Sequence, residues 1–170
     1  TATAGIDTAG ALVLSVAAGL TTATLSRWLG GSTRIIRIMP NTPGQVGMGM
    51  AGLYAPAHIS AADKAFTETL MRTTGQVLWL PEEDDMHRIV GICASGPAYV
   101  FYLLNALQQA AQAQGFDAAE ARRLSLATFN GAVALAAAAD TDFAQLQQNV
   151  TSKGGTTHEA IETFRQHHVA

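Results

Sequence analysis

The chain is 170 residues long, 48% hydrophobic and only 14% charged, with a formal net charge of −3. That balance belongs to a globular chain and excludes a disordered one. With no basic cluster it also argues against an extended nucleic-acid surface, and the length allows one large domain or two small ones.

Along the chain, residues 11–16 form a nearly continuous apolar run, as in a strand buried on both faces. Residues 21–29 read as a helix closed by Gly30 and Gly31, and residues 34–39 as a second strand stopped by Pro40. A third strand is expected over 51–55, a helix from Ser60 to Gly75, and a fourth strand over 76–80. Strands alternating with helices predict an α/β layer with a parallel core. From Pro81 onward the strand signal stops. Helices are expected over 82–93, 98–114, about 118–139, 143–148, and from Thr156 to the chain end, with a break at Gly96-Pro97. Asp117 and Glu120 are placed for a capping box, and Thr156 and Glu159 for another. In the last helix Ala160, Ile161 and Phe164 share a face, with His168 in line below them. Long alanine-rich apolar faces predict self-association of this half; the plainer alternative is a self-contained helical bundle.

Cys93 is the only cysteine, so no intrachain disulfide is available and a reducing, cytoplasmic location is expected. Residues 132–139 are mostly alanine and stop at Asp140; no run is read as spanning a bilayer, and no membrane partner or signal peptide is expected. The chain opens on Thr1, which suggests a processed start or a fragment.

Four short constellations could carry chemistry. The first runs from Val150 to Glu159, where Gly154 and Gly155 permit a tight turn before a helix start. The first N–H groups of a helix lack intrahelical partners and sit at the positive end of its dipole, so a carboxylate or phosphate fits there. An ordinary capped helix after a glycine turn is the competing reading. In the second, Met39-Pro40-Asn41-Thr42-Pro43-Gly44, two prolines stiffen a loop directly after a strand, with Asn41 at its tip. Ligands of open α/β sheets lie beyond such strand ends, although a rigid turn explains the loop as well. The third, Ser15-Val16-Ala17-Ala18-Gly19, ends a strand with small residues that leave room for a flat ring or a phosphate. The fourth, Ser95-Gly96-Pro97-Ala98-Tyr99, breaks a helix with a small-residue turn. The five histidines show no metal-ligand spacing, so no metal is assigned, and the acidic run Glu82-Glu83-Asp84-Asp85 reads as a solvated helix start.

Taken in order and spacing, these four constellations resemble the pyrroline-5-carboxylate reductase family, with the match running from about Ala11; residues 1–10 fit poorly. The resemblance implies α/β plus all-α architecture: a partial Rossmann-type parallel sheet over residues 1–80, then a helical dimerisation and substrate-binding domain over 81–170. It implies reduction of 1-pyrroline-5-carboxylate to L-proline with NADPH or NADH, by a homodimer or an oligomer built on dimers. Val16, Ala17, Ala18, Pro40 and Asn41 would contact the cofactor. Asn149, Val150, Ser152, Gly155, Thr156 and Thr157 would hold the substrate, with Thr157 and Asp140 in the catalytic roles. Val90 stands where some relatives carry a hydroxyl. The family's Gly-x-Gly-x-x-Gly/Ala turn has no counterpart, and Gly47-Met48-Gly49 does not replace it. A truncated, non-catalytic assembly module derived from that family is the alternative.

Overall fold

The computed structural model describes residues 10–169. They form two compact units that divide between Tyr102 and Leu103.

The first unit holds a four-stranded sheet in the order β1 (Val13–Ser15), β2 (Ile35–Met39), β3 (Gly49–Tyr54), β4 (Gly75–Trp79). β1 and β2 pair in parallel, with Val13 opposite Ile35 and Ser15 opposite Arg37, as the helical connection between them predicts. That helix, α1 (Thr22–Trp28), is capped by Thr21, whose hydroxyl accepts from the Thr24 N–H, and it buries Leu25. The sheet is not parallel throughout: β2 and β3 are antiparallel. Only a short 3-10 turn, Thr42–Val46, separates them, and a parallel crossover needs a dozen residues or more. Parallel pairing returns between β3 and β4, which α2 (Ala61–Arg72) connects.

Alternation along β2 divides the core. Ile36 and Ile38 join Ala51, Leu53 and Ile59 in one cluster, against which Met71, Val77 and Trp79 also pack. Met39 joins Met86 and Ile89 in another. The latter two come from α3 (Asp85–Ile89), which is shorter than the helix expected over 82–93 because residues 82–84 form a turn. Then follows a π turn, Val90–Ala94, closed by the Ser95 N–H donating to the Val90 carbonyl at 2.9 Å. The chain continues at once into α4 (Gly96–Ala113). Pro97 lies in the first turn of α4, the part of a helix that tolerates proline best. The whole helical run Asp85–Ala113 therefore spans 29 residues, and its most apolar 18-residue stretch has mean hydropathy 1.5. By length and composition it could cross a bilayer, which corrects the expectation that no such run exists. The same numbers describe a helix whose apolar face another protein surface covers.

The second unit comprises the rest of α4, α5 (Ala118–Ala138), α6 (Phe143–Asn149) and α7 (Thr156–Gln166). The capping box at Asp117 and Glu120 is present in full. Ala121 and Ser125 are the buried residues of α5; Val133 and Leu135 remain exposed. An apolar groove of about 580 Å³ is lined by Phe129, Val133 and Phe143. The capping box expected at Thr156 is absent, because the N-cap is Gly155 and Thr156 is already the first helical residue. His168 falls beyond the C-cap with φ 53 and so is not in line with the face of α7. Residues 1–9 and Ala170, with the expectations that fall on them, lie outside the described residues.

Candidate functional site

The parallel pairing of β1 and β2 brings two of the four constellations to one end of the sheet. The turn after β1 carries Val16, Ala17 and Ala18, and the loop after β2 carries Pro40 and Asn41. Val16 and Ala18 are exposed and Ala17 is half-buried. The Ala17 N–H donates to Ser15 Oγ at 3.3 Å, which ties the turn to its own strand. Side chains this small leave the backbone open to a flat ligand, so the residues present fit one lying against this turn.

Asn41 is more engaged than its place at a loop tip suggests. Its Nδ2 donates to the Cys93 carbonyl at 3.1 Å, and its Oδ1 accepts from the Met50 N–H at 2.9 Å. One side chain thus ties the loop to β3 and to the π turn. An amide carries two donor hydrogens and two acceptor lone pairs, so half its capacity is left. Pro40 and Asn41 also line a cavity of about 370 Å³ with Gly44, Gln45, Met50 and Thr74.

The remaining sites lie in the second unit. Asn149 ends α6, and its Oδ1 accepts from Gln145 Nε2 at 2.9 Å; Val150 follows, exposed. Gly154, with φ 71, sits where an L side chain is strained, and a Cβ on Gly155 would come within 3.2 Å of the Ser152 carbonyl oxygen. The Gly155 N–H donates to that carbonyl at 3.0 Å. It is therefore not one of the donors expected for an anion. The N–H groups of Thr156, Thr157 and His158 have no acceptor among the described residues, since the first intrahelical bond of α7 is made by Glu159 to Gly155. Without a side-chain cap, three donors and the Thr157 hydroxyl are left at the start of an 11-residue helix. Ser152, Gly155, Thr156 and Thr157 are brought together by this one turn. Asp140 lies in the α5–α6 connection, exposed and with no hydrogen bond among the described residues. No group of three or more potential metal ligands occurs among the described residues.

One constellation was missed from sequence. Glu83 is not simply solvated: its Oε1 accepts from the Thr22 N–H at 2.7 Å and from Arg37 Nη1 at 3.1 Å, and its Oε2 accepts from Thr22 Oγ1 at 3.2 Å. The Arg37 side chain is 3% exposed. An arginine inside an otherwise apolar strand was the available signal, because a buried cation requires a partner. Burial pushes the nearby Tyr54 hydroxyl above its ordinary range, and the Glu83 and Glu82 carboxylates add to that shift.

The chain matches known proteins along most of its length. Residues 83–170 match the family described as pyrroline-5-carboxylate reductase dimerisation. Proteins named pyrroline-5-carboxylate reductase from Vibrio alginolyticus and Pseudomonas aeruginosa are 42% and 39% identical over 166 and 154 residues. Those alignments cover 97% and 91% of this chain but 61% and 56% of the relatives, so the chain spans about three-fifths of their length. A pyrroline-5-carboxylate reductase structure from Coxiella burnetii superposes with TM-score 0.85 at 39% identity, over 92% of this chain and 58% of that one. The Plasmodium falciparum pyrroline carboxylate reductase with NADP bound gives 0.88 at 27% identity, over 95% and 65%. The partial Rossmann-type sheet followed by helices is the architecture these structures share, and the chain belongs to the pyrroline-5-carboxylate reductase family.

Proposed function

We propose that the full-length protein reduces 1-pyrroline-5-carboxylate to L-proline with NADPH or NADH, as a cytoplasmic homodimer or an oligomer built on dimers. The observation that carries this reading is the uncapped start of α7 within a segment matching the reductase family. Free N–H groups of Thr156, Thr157 and His158, with the Thr157 hydroxyl, suit the substrate carboxylate. Ser152 and Gly155 shape the turn that leaves those donors open, and Asn149 and Val150 border it. Val16, Ala17 and Ala18 offer a small-residue bed for the cofactor, and Pro40 and Asn41 a stiff loop beside it. When bound, the nicotinamide supplies the hydride. The iminium carbon of the substrate accepts it while the C=N electron pair moves to nitrogen, so the chain's main task is to hold the substrate in line. Asp140 is assigned to the neighbourhood of the ring nitrogen, where a carboxylate favours the cationic form of the substrate. We place a division of labour near residue 80, with cofactor contacts before it and substrate contacts after.

The test is turnover by the full-length protein, followed as substrate-dependent consumption of NADPH. Thr157→Val keeps the side-chain shape and removes the hydroxyl. It is expected to weaken substrate binding by about 1–3 kcal/mol and to leave cofactor affinity nearly unchanged. Absence of any substrate-dependent consumption would favour the non-catalytic assembly module instead.

A further inference from the structure

Within the first unit, Glu83 joins three elements that are far apart in sequence. It lies 61 residues from Thr22 and 46 from Arg37, yet hydrogen bonds to both. Thr22 is the first residue of α1, and its N–H is one that no carbonyl within the helix can reach. Arg37 faces Glu83 from β2, in register with Ser15 at the end of β1. Ser15 in turn accepts from the Ala17 N–H. The turn between β1 and α1 is therefore fastened at both ends: by Ser15 on the strand side and by Glu83 on the helix side. Between the two fastenings, residues 18–20 make no hydrogen bond to any other element among the described residues.

We infer that Glu83 is a positioning residue for the cofactor: it anchors the start of α1 and so fixes the backbone of the Val16–Gly19 turn in the form that a dinucleotide meets. This rests on the reductase reading for what the turn binds, but not for the anchoring itself. Arg37 holds the carboxylate in place, since its guanidinium is buried and Glu83 is the anion it pairs with. The carboxylate is well suited to the task, because its two oxygens serve the Thr22 N–H and hydroxyl separately while one also accepts from Arg37. The carbonyl of a glutamine would retain one of these acceptors and lose the charge that faces Arg37.

The experiment uses the full-length protein and its Glu83→Ala, Glu83→Gln and Thr22→Val variants. Three quantities are read: amide hydrogen exchange over residues 16–24, KM for NADPH, and KM for the substrate. Glu83→Ala is expected to speed exchange in that segment and to raise the cofactor KM about ten-fold, the factor that corresponds to about 1.4 kcal/mol lost from the anchoring of the turn. The substrate KM should change much less. Glu83→Gln should recover part of both effects. Thr22→Val removes only the hydroxyl donor and leaves the Arg37 pair intact, so it keeps the test open if Glu83→Ala does not fold. It should raise exchange and cofactor KM in the same direction by a smaller factor. Lowered thermal stability with exchange and cofactor KM both unchanged would overturn the inference, because Glu83 would then be only a structural ion-pair partner. Faster exchange in a parent protein without reductase activity would uphold the anchoring and put the fault with the reductase reading.

Discussion

At the scale of single residues, polar side chains decide what the small first unit tolerates. Asp63 shows this on α2. Its Oδ2 accepts from Arg34 Nε at 2.8 Å and its Oδ1 from Arg34 Nη2 at 2.6 Å, a two-pronged pair of the kind a guanidinium forms best. The Arg34 guanidinium holds the Asp63 carboxyl below the usual carboxylate range, against the opposing effect of burial, and the Ser60 hydroxyl adds to the lowering. A carboxyl with a lowered folded-state pKa stabilises the fold above its unfolded pKa, near 3.9, and that contribution is lost as pH falls through the folded value. Asp63→Asn should therefore reduce the melting temperature at neutral pH. The gap between variant and parent should close as the pH drops below the ordinary carboxylate range. Thermal melts at a series of pH values check this, and a gap that persists at low pH would show that Arg34 is not the cause.

At the scale of elements, glycines let backbones meet where the sequence suggested only turns. Gly75 pairs with Gly49 at the start of the β3–β4 ladder, and its φ is +143. A Cβ there would stand 2.1 Å from the Gly49 carbonyl oxygen and 2.4 Å from its nitrogen. Gly49 is enclosed in turn by Gly44 Cα and the Thr74 carbonyl oxygen, each 2.8 Å from an added Cβ. Gly75→Ala should destabilise the fold by about 3 kcal/mol or more, as backbone collision and a disallowed φ act together. Denaturant unfolding measures it; a loss below about 1 kcal/mol would mean that the strands separate easily. From sequence, Gly75 reads as a helix terminator, and Gly47-Met48-Gly49 reads only as no replacement for the missing Gly-x-Gly-x-x-Gly/Ala turn. Nothing local could reveal the contact, since Gly49 and Gly75 are brought together only by the β3–α2–β4 connection. Elements with strong local signals were legible: the Asp117 box, the β1–α1–β2 unit, and the glycine turn before α7. What stayed hidden depended on distant partners. The reversal of β3 follows from a connection too short to cross over, and the second life of Asn41, as a tie to Cys93 and Met50, follows from tertiary contact. The first turn of α7 was read one position off. Thr156 has the right chemistry for an N-cap, but Gly155 holds the extended backbone that an N-cap adopts.

At the scale of the whole molecule, the apolar faces need a covering. Phe101 and Tyr102 on α4, Val133 on α5 and Phe143 at the start of α6 are all more than 60% exposed in the single chain. Residues like these rarely stay in water over such an extent, and the match to a family described as dimerisation supports the second copy proposed above as their cover. Sedimentation of the full-length protein should give at least twice the monomer mass at micromolar concentration. Val133→Asp should shift the protein toward monomer, because a carboxylate on an apolar contact surface loses its hydration without gaining a partner. A parent protein that sediments as a monomer would leave these faces to some other surface, a bilayer included.

The position of Glu83 also bears on the order in which the protein is made. A nascent chain emerges at roughly 5–20 residues per second, and its leading part starts to fold before the rest exists. Arg37 leaves the ribosome 46 residues ahead of its counter-charge, a delay of roughly 2–9 s at those speeds. During that interval β2 cannot bury its arginine without stranding a cation, and the start of α1 has no anchor. The pair between Arg37 and Glu83 can thus form only once the first residues of the following helical region have been synthesised, after all four strands of the sheet.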